Sequence, residues 1–101
     1  MSEFKPTLFE QMPIVGIMRN YPNEIIKRIV PLYIKAGLST LEITMNSSNA
    51  EEMISFLAEE YPQLNIGAGT VCEMGDLYKA LDAGASFIVT PILNESVIKH
   101  C

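Results

Sequence analysis

Short runs of aliphatic and β-branched residues alternate along this chain with longer stretches in which apolar side chains return every third or fourth position. The runs are 13–19 (PIVGIMR), 40–45 (TLEITM), 64–70 (LNIGAGT) and 85–90 (ASFIVT). Their length and composition predict strands. Residues 23–36, 48–61 and 73–83 lie between them, each long enough for about three or four helical turns, and 94–101 begins a further stretch of that kind. Strand then helix, repeated, predicts consecutive right-handed βα units on a parallel sheet.

The punctuation agrees with that division. Asn23 is placed to cap the first helix ahead of Glu24, and Gly37 follows its last periodic residue as a C′ glycine does. Ile25, Ile29, Leu32, Tyr33 and Ala36 define its expected inner face, and Pro31 predicts a kink or an early break. Ser48 or Asn49 is placed to cap the second helix, with Glu51 and Glu52 in the first turn, where the helix dipole favours negative charge. Met53, Phe56 and Leu57 are its expected inner face; Leu77, Ala80 and Leu81 are that of the third helix, which ends at Ala83-Gly84.

Composition narrows the function classes. A chain of 101 residues, 49% apolar and 19% charged, has the balance of one small globular domain. Seven basic against twelve acidic side chains give a net charge of −5 with no Lys/Arg cluster, so nucleic-acid binding lacks its electrostatic footprint. No apolar run approaches the roughly 20 residues that span a bilayer, and MSEFKPTLFEQM has no basic-then-apolar signal pattern. Cys72 and Cys101 form neither a disulfide framework nor a metal-ligand set. The expectation is a soluble cytoplasmic protein with neither nucleic acid nor membrane as partner.

Candidate chemistry sits where polar residues interrupt the strands. In the second strand Leu41 and Ile43 share one face and Glu42 and Thr44 the other. With the apolar face against helices, Glu42 points to the opposite side of the sheet. A doubly wound open sheet covers that side with apolar helices, where an unpaired carboxylate is costly. The interior of a (β/α)8 (TIM) barrel near its C-terminal mouth accepts one, and catalytic groups cluster there. A glutamate held in that place, partly desolvated, has its pKa raised toward neutrality and can carry protons. A glutamate paired with a buried cation, or exposed at a sheet edge, is the competing reading.

The third strand alternates Ile66 and Ala68 with Gly67 and Gly69, so the face shared with Glu42 is expected to leave space for a small ligand. Close packing of sheet against helix is the competing reading of the same glycines. Thr70 closes that strand with a hydroxyl and a backbone N–H. Arg19 ends the first strand, where a cation beside Glu42 can hold a carboxylate or phosphate or merely be solvated. Pro91 follows Thr90 and turns the chain across the mouth. His100 is expected at the surface, Cys72 as a small hydrophobe at the start of the third helix, and the six methionines as core filling.

Four segments carry a resemblance: Ile-Val-Gly-Ile-Met-Arg (14–19), Leu-Glu-Ile-Thr-Met-Asn-Ser (41–47), Ile-Gly-Ala-Gly-Thr-Val (66–71) and Phe-Ile-Val-Thr-Pro (87–91). In this order and spacing, from Phe9 onward, the chain resembles the 2-keto-3-deoxy-6-phosphogluconate (KDPG) aldolases, also called 4-hydroxy-2-oxoglutarate (KHG) aldolases. Four motifs in register are far more specific than any one of them. The resemblance implies an α/β fold consisting of the first four βα units of a TIM barrel, residues 1–101 being the N-terminal half of the aldolase domain, in a family that is typically homotrimeric. It implies class I cleavage of a 2-keto-3-deoxy-6-phospho sugar acid, or of 4-hydroxy-2-oxoglutarate, to pyruvate and an aldehyde. The family works through a lysine Schiff base, with no metal and no cofactor. By the same resemblance Glu42 is the general acid/base, and Arg19, Thr44, Asn46, Thr70 and Pro91 contact substrate. Asn46 marks a departure: some members place a carboxylate-binding arginine there, and the Asn-Ser form is closer to the 2-keto-3-deoxy-6-phosphogalactonate branch.

In that family the Schiff-base lysine belongs to the sixth strand, and the phosphate-binding loops come later still. The five lysines here (Lys5, Lys27, Lys35, Lys79 and Lys99) lie on the N-terminal segment or on expected helices, and none ends a strand facing Glu42. Without an imine the carbanion formed at cleavage has no electron sink, so these 101 residues alone are expected to be inactive as an aldolase. Half a barrel also leaves its first and fourth strands as open edges and bares its inner apolar face. It is expected to dimerise, to aggregate or to be held by a complementary half. Two other readings stay open: a phosphosugar isomerase or epimerase using Glu42 as proton carrier, and a non-catalytic half-barrel that binds a partner or oligomerises. An open flavodoxin-like sheet is the alternative fold, and it gives Glu42 no good place.

Overall fold

The computed structural model describes residues 3–100; Cys101, with the expectation attached to it, lies outside the described residues. Three strands, β1 (Val15–Met18), β2 (Thr40–Thr44) and β3 (Asn65–Gly69), form a parallel sheet in the order β1-β2-β3. Five helices accompany them: α1 (Pro6–Gln11), α2 (Asn23–Lys35), α3 (Ala50–Glu60), α4 (Met74–Ala83) and α5 (Glu95–His100). The register sets Ile17 beside Glu42 and Glu42 beside Gly67, so these three share one face of the sheet. Leu41, Ile43, Ile66 and Ala68 form the other face. They are buried with Ile26 and Val30 of α2, Met53, Ile54 and Leu57 of α3, and Leu77 and Ala80 of α4.

The fourth strand expected at 85–90 is reduced to one parallel bridge, Ala68 to Ile88. The segment still extends the sheet. Ser86 N–H donates to Ile66 O (2.8 Å) and Val89 N–H to Ala68 O (2.8 Å), while Ala68 N–H donates to Phe87 O (3.0 Å). No strand lies beyond it among the described residues, so it is held from one side only.

Differences in the helices have local causes. In α2 the inward residues are Ile26 and Val30; Ile25 is 37% and Leu32 66% exposed, against the expected face. Residues 23–36 carry two overlapping apolar stripes, and Tyr33 chooses between them. Its hydroxyl donates to Thr40 O, and it lies over Gly16, where a Cβ would come within 2.6 Å of the phenol oxygen. The helix passes through Pro31 to Lys35 without ending, because the proline is on the exposed side. Neither expected side-chain cap forms: Pro22 occupies the N-cap of α2, and Asn49, at φ 57°, occupies that of α3 without a side-chain hydrogen bond.

The short α1 was not foreseen, because it buries no residue and so leaves no periodic signal. It is fastened instead through Lys5 and fully buried Asn65: Lys5 N–H donates to Asn65 Oδ1 (2.7 Å) and Asn65 Nδ2 to Lys5 O (3.0 Å). Phe4 meets Phe87 edge to face at 5.6 Å between centroids, closing the sheet at the N-terminal end of its strands. No helix among the described residues is long and apolar enough to cross a membrane.

Candidate active site

Strand parity puts Glu42 on the face turned away from α2, α3 and α4. The side chain is only 4% exposed, and Oε2 is sealed from solvent with no hydrogen-bond partner among the described residues. Its carboxyl lies directly on β3: a Cβ at Gly69 would come within 2.6 Å of both Cδ and Oε1 of Glu42. At Gly67 a Cβ would run into the Phe87 ring, 2.5 Å from its Cε atoms. The glycines therefore do not leave the open ligand space expected from sequence, nor do they serve helix packing. They let the carboxyl and the Phe87 ring rest on bare backbone. Burial pushes the Glu42 carboxyl above the usual carboxylate range, and the positive charge of Arg19 draws it part of the way back.

Arg19 follows β1 and reaches across β2, where Nη2 donates to Thr70 Oγ1 at 3.1 Å. Thr70 sits at φ 53°, a left-handed conformation that is costly for a β-branched residue and collects at functional sites. Asn20, next to Arg19, is also left-handed at φ 55°, and its N–H donates to Ser47 Oγ at 2.7 Å. Ser47 Oγ in turn pairs with Thr44 Oγ1 at 2.7 Å, and Thr44 Oγ1 donates to Met18 O at 3.4 Å.

The structure thus brings Glu42, Arg19 and Thr70 together. Thr44 is fully buried, and its hydroxyl bonds Met18 O and Ser47 Oγ, bracing β2 against β1. Asn46 and Pro91 stand exposed in loops at the C-terminal end of the sheet; beside Pro91, Thr90 Oγ1 donates to Ile92 O at 2.8 Å. Sequence reasoning gave no role to Ser47, Asn20 or Phe87; Ser47 and Phe87 carried a signal only as the last residue of the 41–47 segment and the first of the 87–91 segment. The lysines lie elsewhere. Lys5 Nζ reaches Leu64 O (3.4 Å) at the opposite end of the sheet, Lys27 lies 4.5 Å over the Phe56 ring, and Lys35, Lys79 and Lys99 belong to helices.

A family model described as KDPG and KHG aldolase matches residues 7–101. The chain belongs to the KDPG and KHG aldolase family. It is 33% identical over 98 residues to the 2-dehydro-3-deoxy-phosphogluconate aldolase of Treponema pallidum, covering 94% of this chain and 47% of that protein. Its fold overlays the Legionella pneumophila KDPG aldolase, solved with pyruvate captured as a carbinolamine, at a TM-score of 0.84 and 24% identity, over 95% of this chain and 47% of that one. It also overlays a native KDPGal structure at 0.83 and 28% identity, over 98% and 46%. The chain spans about half the length of these relatives. Its parallel βα units are accordingly the N-terminal units of this family's (β/α)8 barrel, and Glu42 points to the barrel's inner side.

Proposed function

We propose that these residues form the acid/base half of a Schiff-base aldolase site that cleaves a 2-keto-3-deoxy-6-phospho sugar acid or 4-hydroxy-2-oxoglutarate to pyruvate and an aldehyde. The observation that carries this reading is the sealed, unpartnered Oε2 of Glu42. Buried polar atoms are almost always paired, so one held without a partner is poised for a group that arrives with substrate. Burial also raises its pKa, which makes the carboxylate a better proton acceptor, one that can hand the proton back as a general acid. As the carbon–carbon bond breaks, the substrate hydroxyl gives its proton to Glu42 and the bonding electrons run into the imine. The aldehyde leaves, Glu42 returns the proton to the enamine carbon to give the pyruvate imine, and the same carboxyl serves the steps in which the carbinolamine forms and collapses.

Arg19 and Thr70, already joined at 3.1 Å, supply the charge and hydroxyl for the keto acid's carboxylate, and Pro91 borders the pyruvate end. Asn46 offers hydrogen bonds without charge, which favours the galactonate-type substrate. The amine comes from residues outside these 101, because none of the five lysines here lies beside Glu42. The enzyme is cytoplasmic and homo-oligomeric, with the trimer as the assembled form.

The test joins residues 1–101 to the C-terminal half of the Treponema pallidum relative and adds borohydride with pyruvate. The joined protein is expected to be labelled covalently and residues 1–101 alone to stay unlabelled. Glu42→Gln in the joined protein is expected to lower kcat by about 10²–10⁴. A joined protein that turns over as fast with Glu42→Gln as without it would overturn the reading. The placement of the lysines favours a second reading, an isomerase or epimerase that needs no imine; the same experiment separates the two, since only an imine former takes the label.

A further inference from the structure

We infer that Ser47 is a positioning residue: its hydroxyl fixes the Arg19 guanidinium relative to the Glu42 carboxyl. The inference deepens the reading of this site as a proton-transfer centre and rests on it. Arg19 is an exposed, long side chain, and left to itself such a group samples many rotamers. Here it is tied at both ends. Its head donates to Thr70 Oγ1, and its backbone is held through the next amide, Asn20 N–H, which donates to Ser47 Oγ at 2.7 Å.

Ser47 is itself anchored in the interior. With Asn20 N–H as donor to Ser47 Oγ, the Ser47 hydroxyl proton points to Thr44 Oγ1, and the Thr44 proton points to Met18 O. Donors and acceptors run one way through the chain, and no hydroxyl is left over. The chain starts beside Arg19 and ends on β1, so it closes a loop around the residue whose charge acts on Glu42. Among the described residues, Arg19 is the charge that acts on the Glu42 carboxyl. β3 presents Gly67 and Gly69 to the carboxyl, β2 presents Thr44, β1 presents Ile17, and segment 85–90 presents Phe87.

The experiment follows the Glu42 carboxyl of the 101-residue chain by carbon-13 NMR against pH, so it needs no substrate and no turnover. Arg19→Met is expected to move the Glu42 midpoint upward by removing the charge. Ser47→Ala is expected to move it in the same direction by part of that amount, Ser47→Thr to restore it, and Ser47→Ala added to Arg19→Met to produce no further shift. A merely structural serine would lower stability in urea and leave the midpoint in place, and that result would overturn the inference. So would an Arg19→Met variant with an unmoved midpoint. In the unsubstituted chain the Asn20 amide is expected to exchange slowly with solvent; exchange at the rate of an open loop would overturn the inference even if Ser47→Ala did not fold. Failure of the borohydride experiment, by contrast, would bear on the imine chemistry and leave these titrations intact.

Discussion

Glu42 is destabilising where it sits. A carboxyl whose Oε2 is buried and unpartnered loses hydration that no hydrogen bond among the described residues replaces, a cost of about 1–3 kcal/mol for a buried polar group and more for a charged one. The raised pKa reports the same fact. Because the folded-state pKa lies above the unfolded one, the protonated form favours folding. That stability is fully present below the ordinary carboxylate range and is lost as pH rises through the raised value. Urea unfolding followed from pH 4 to pH 8 is therefore expected to show falling stability over that window. Glu42→Gln is expected to flatten the profile and to raise stability at neutral pH by about 1 kcal/mol; an unchanged profile would refute the burial account. The position of this residue was legible in the sequence, because alternation in TLEITM fixes which face it shares. The use of Gly69 was not. Alternation says that a glycine faces the same side as Glu42, but not that the carboxyl would lie flat upon it.

At the scale of elements, helix ends and helix faces differ in how far sequence specifies them. Gly37 and Gly84 both close Schellman motifs. Leu38 N–H bonds Tyr33 O and Gly37 N–H bonds Ile34 O; Ala85 N–H bonds Ala80 O and Gly84 N–H bonds Leu81 O. A glycine after the last periodic residue is sufficient to foresee that. Helix α4 offers a test with opposite signs in one element. Gly84 has φ 103°, so Gly84→Ala is expected to cost about 1 kcal/mol. Gly75 is helical, and a Cβ there meets nothing closer than Glu73 Oε1 at 3.6 Å, so Gly75→Ala is expected to stabilise by about 0.5–1 kcal/mol. Thermal melts of the two variants measure both; equal signs would contradict the assignment of the helix end. The face of α2 was harder to read, because Ile25, Ile26, Ile29, Val30, Leu32, Tyr33 and Ile34 fit two stripes. The choice depends on where the Tyr33 ring finds room over Gly16, a contact between distant elements that periodicity does not encode.

For the whole molecule the decisive feature is that α2, α3 and α4 cover one face of the sheet, whereas the other meets only the short α1 at its N-terminal end. Around Glu42 the bare face continues into an apolar hollow of about 210 Å³ lined by Phe4, Phe9, Val15, Phe87 and Val89 with the Thr40 side chain. Both edges of the sheet are apolar and open: Ile14 is 49% and Ile17 57% exposed on one side, Val89 42%, Ile92 53% and Leu93 86% on the other. A parallel edge with unpaired backbone groups and adjoining aliphatic side chains is a template for another strand. The 101 residues by themselves are therefore expected to associate, each copy covering the bare face of another. Net charge opposes this, since every copy carries −5 and like charges repel within about a Debye length, near 10 Å at 0.1 M salt. Sedimentation velocity over a concentration series is expected to show mass above the monomer, rising with protein concentration and also with salt as the repulsion is screened. Ile17→Lys, which puts a charge on the β1 edge, is expected to weaken the association. A monomer at every concentration and salt would mean that the exposed edges and the hollow close over without a partner, and that the open half-barrel described here is not the form the chain adopts alone.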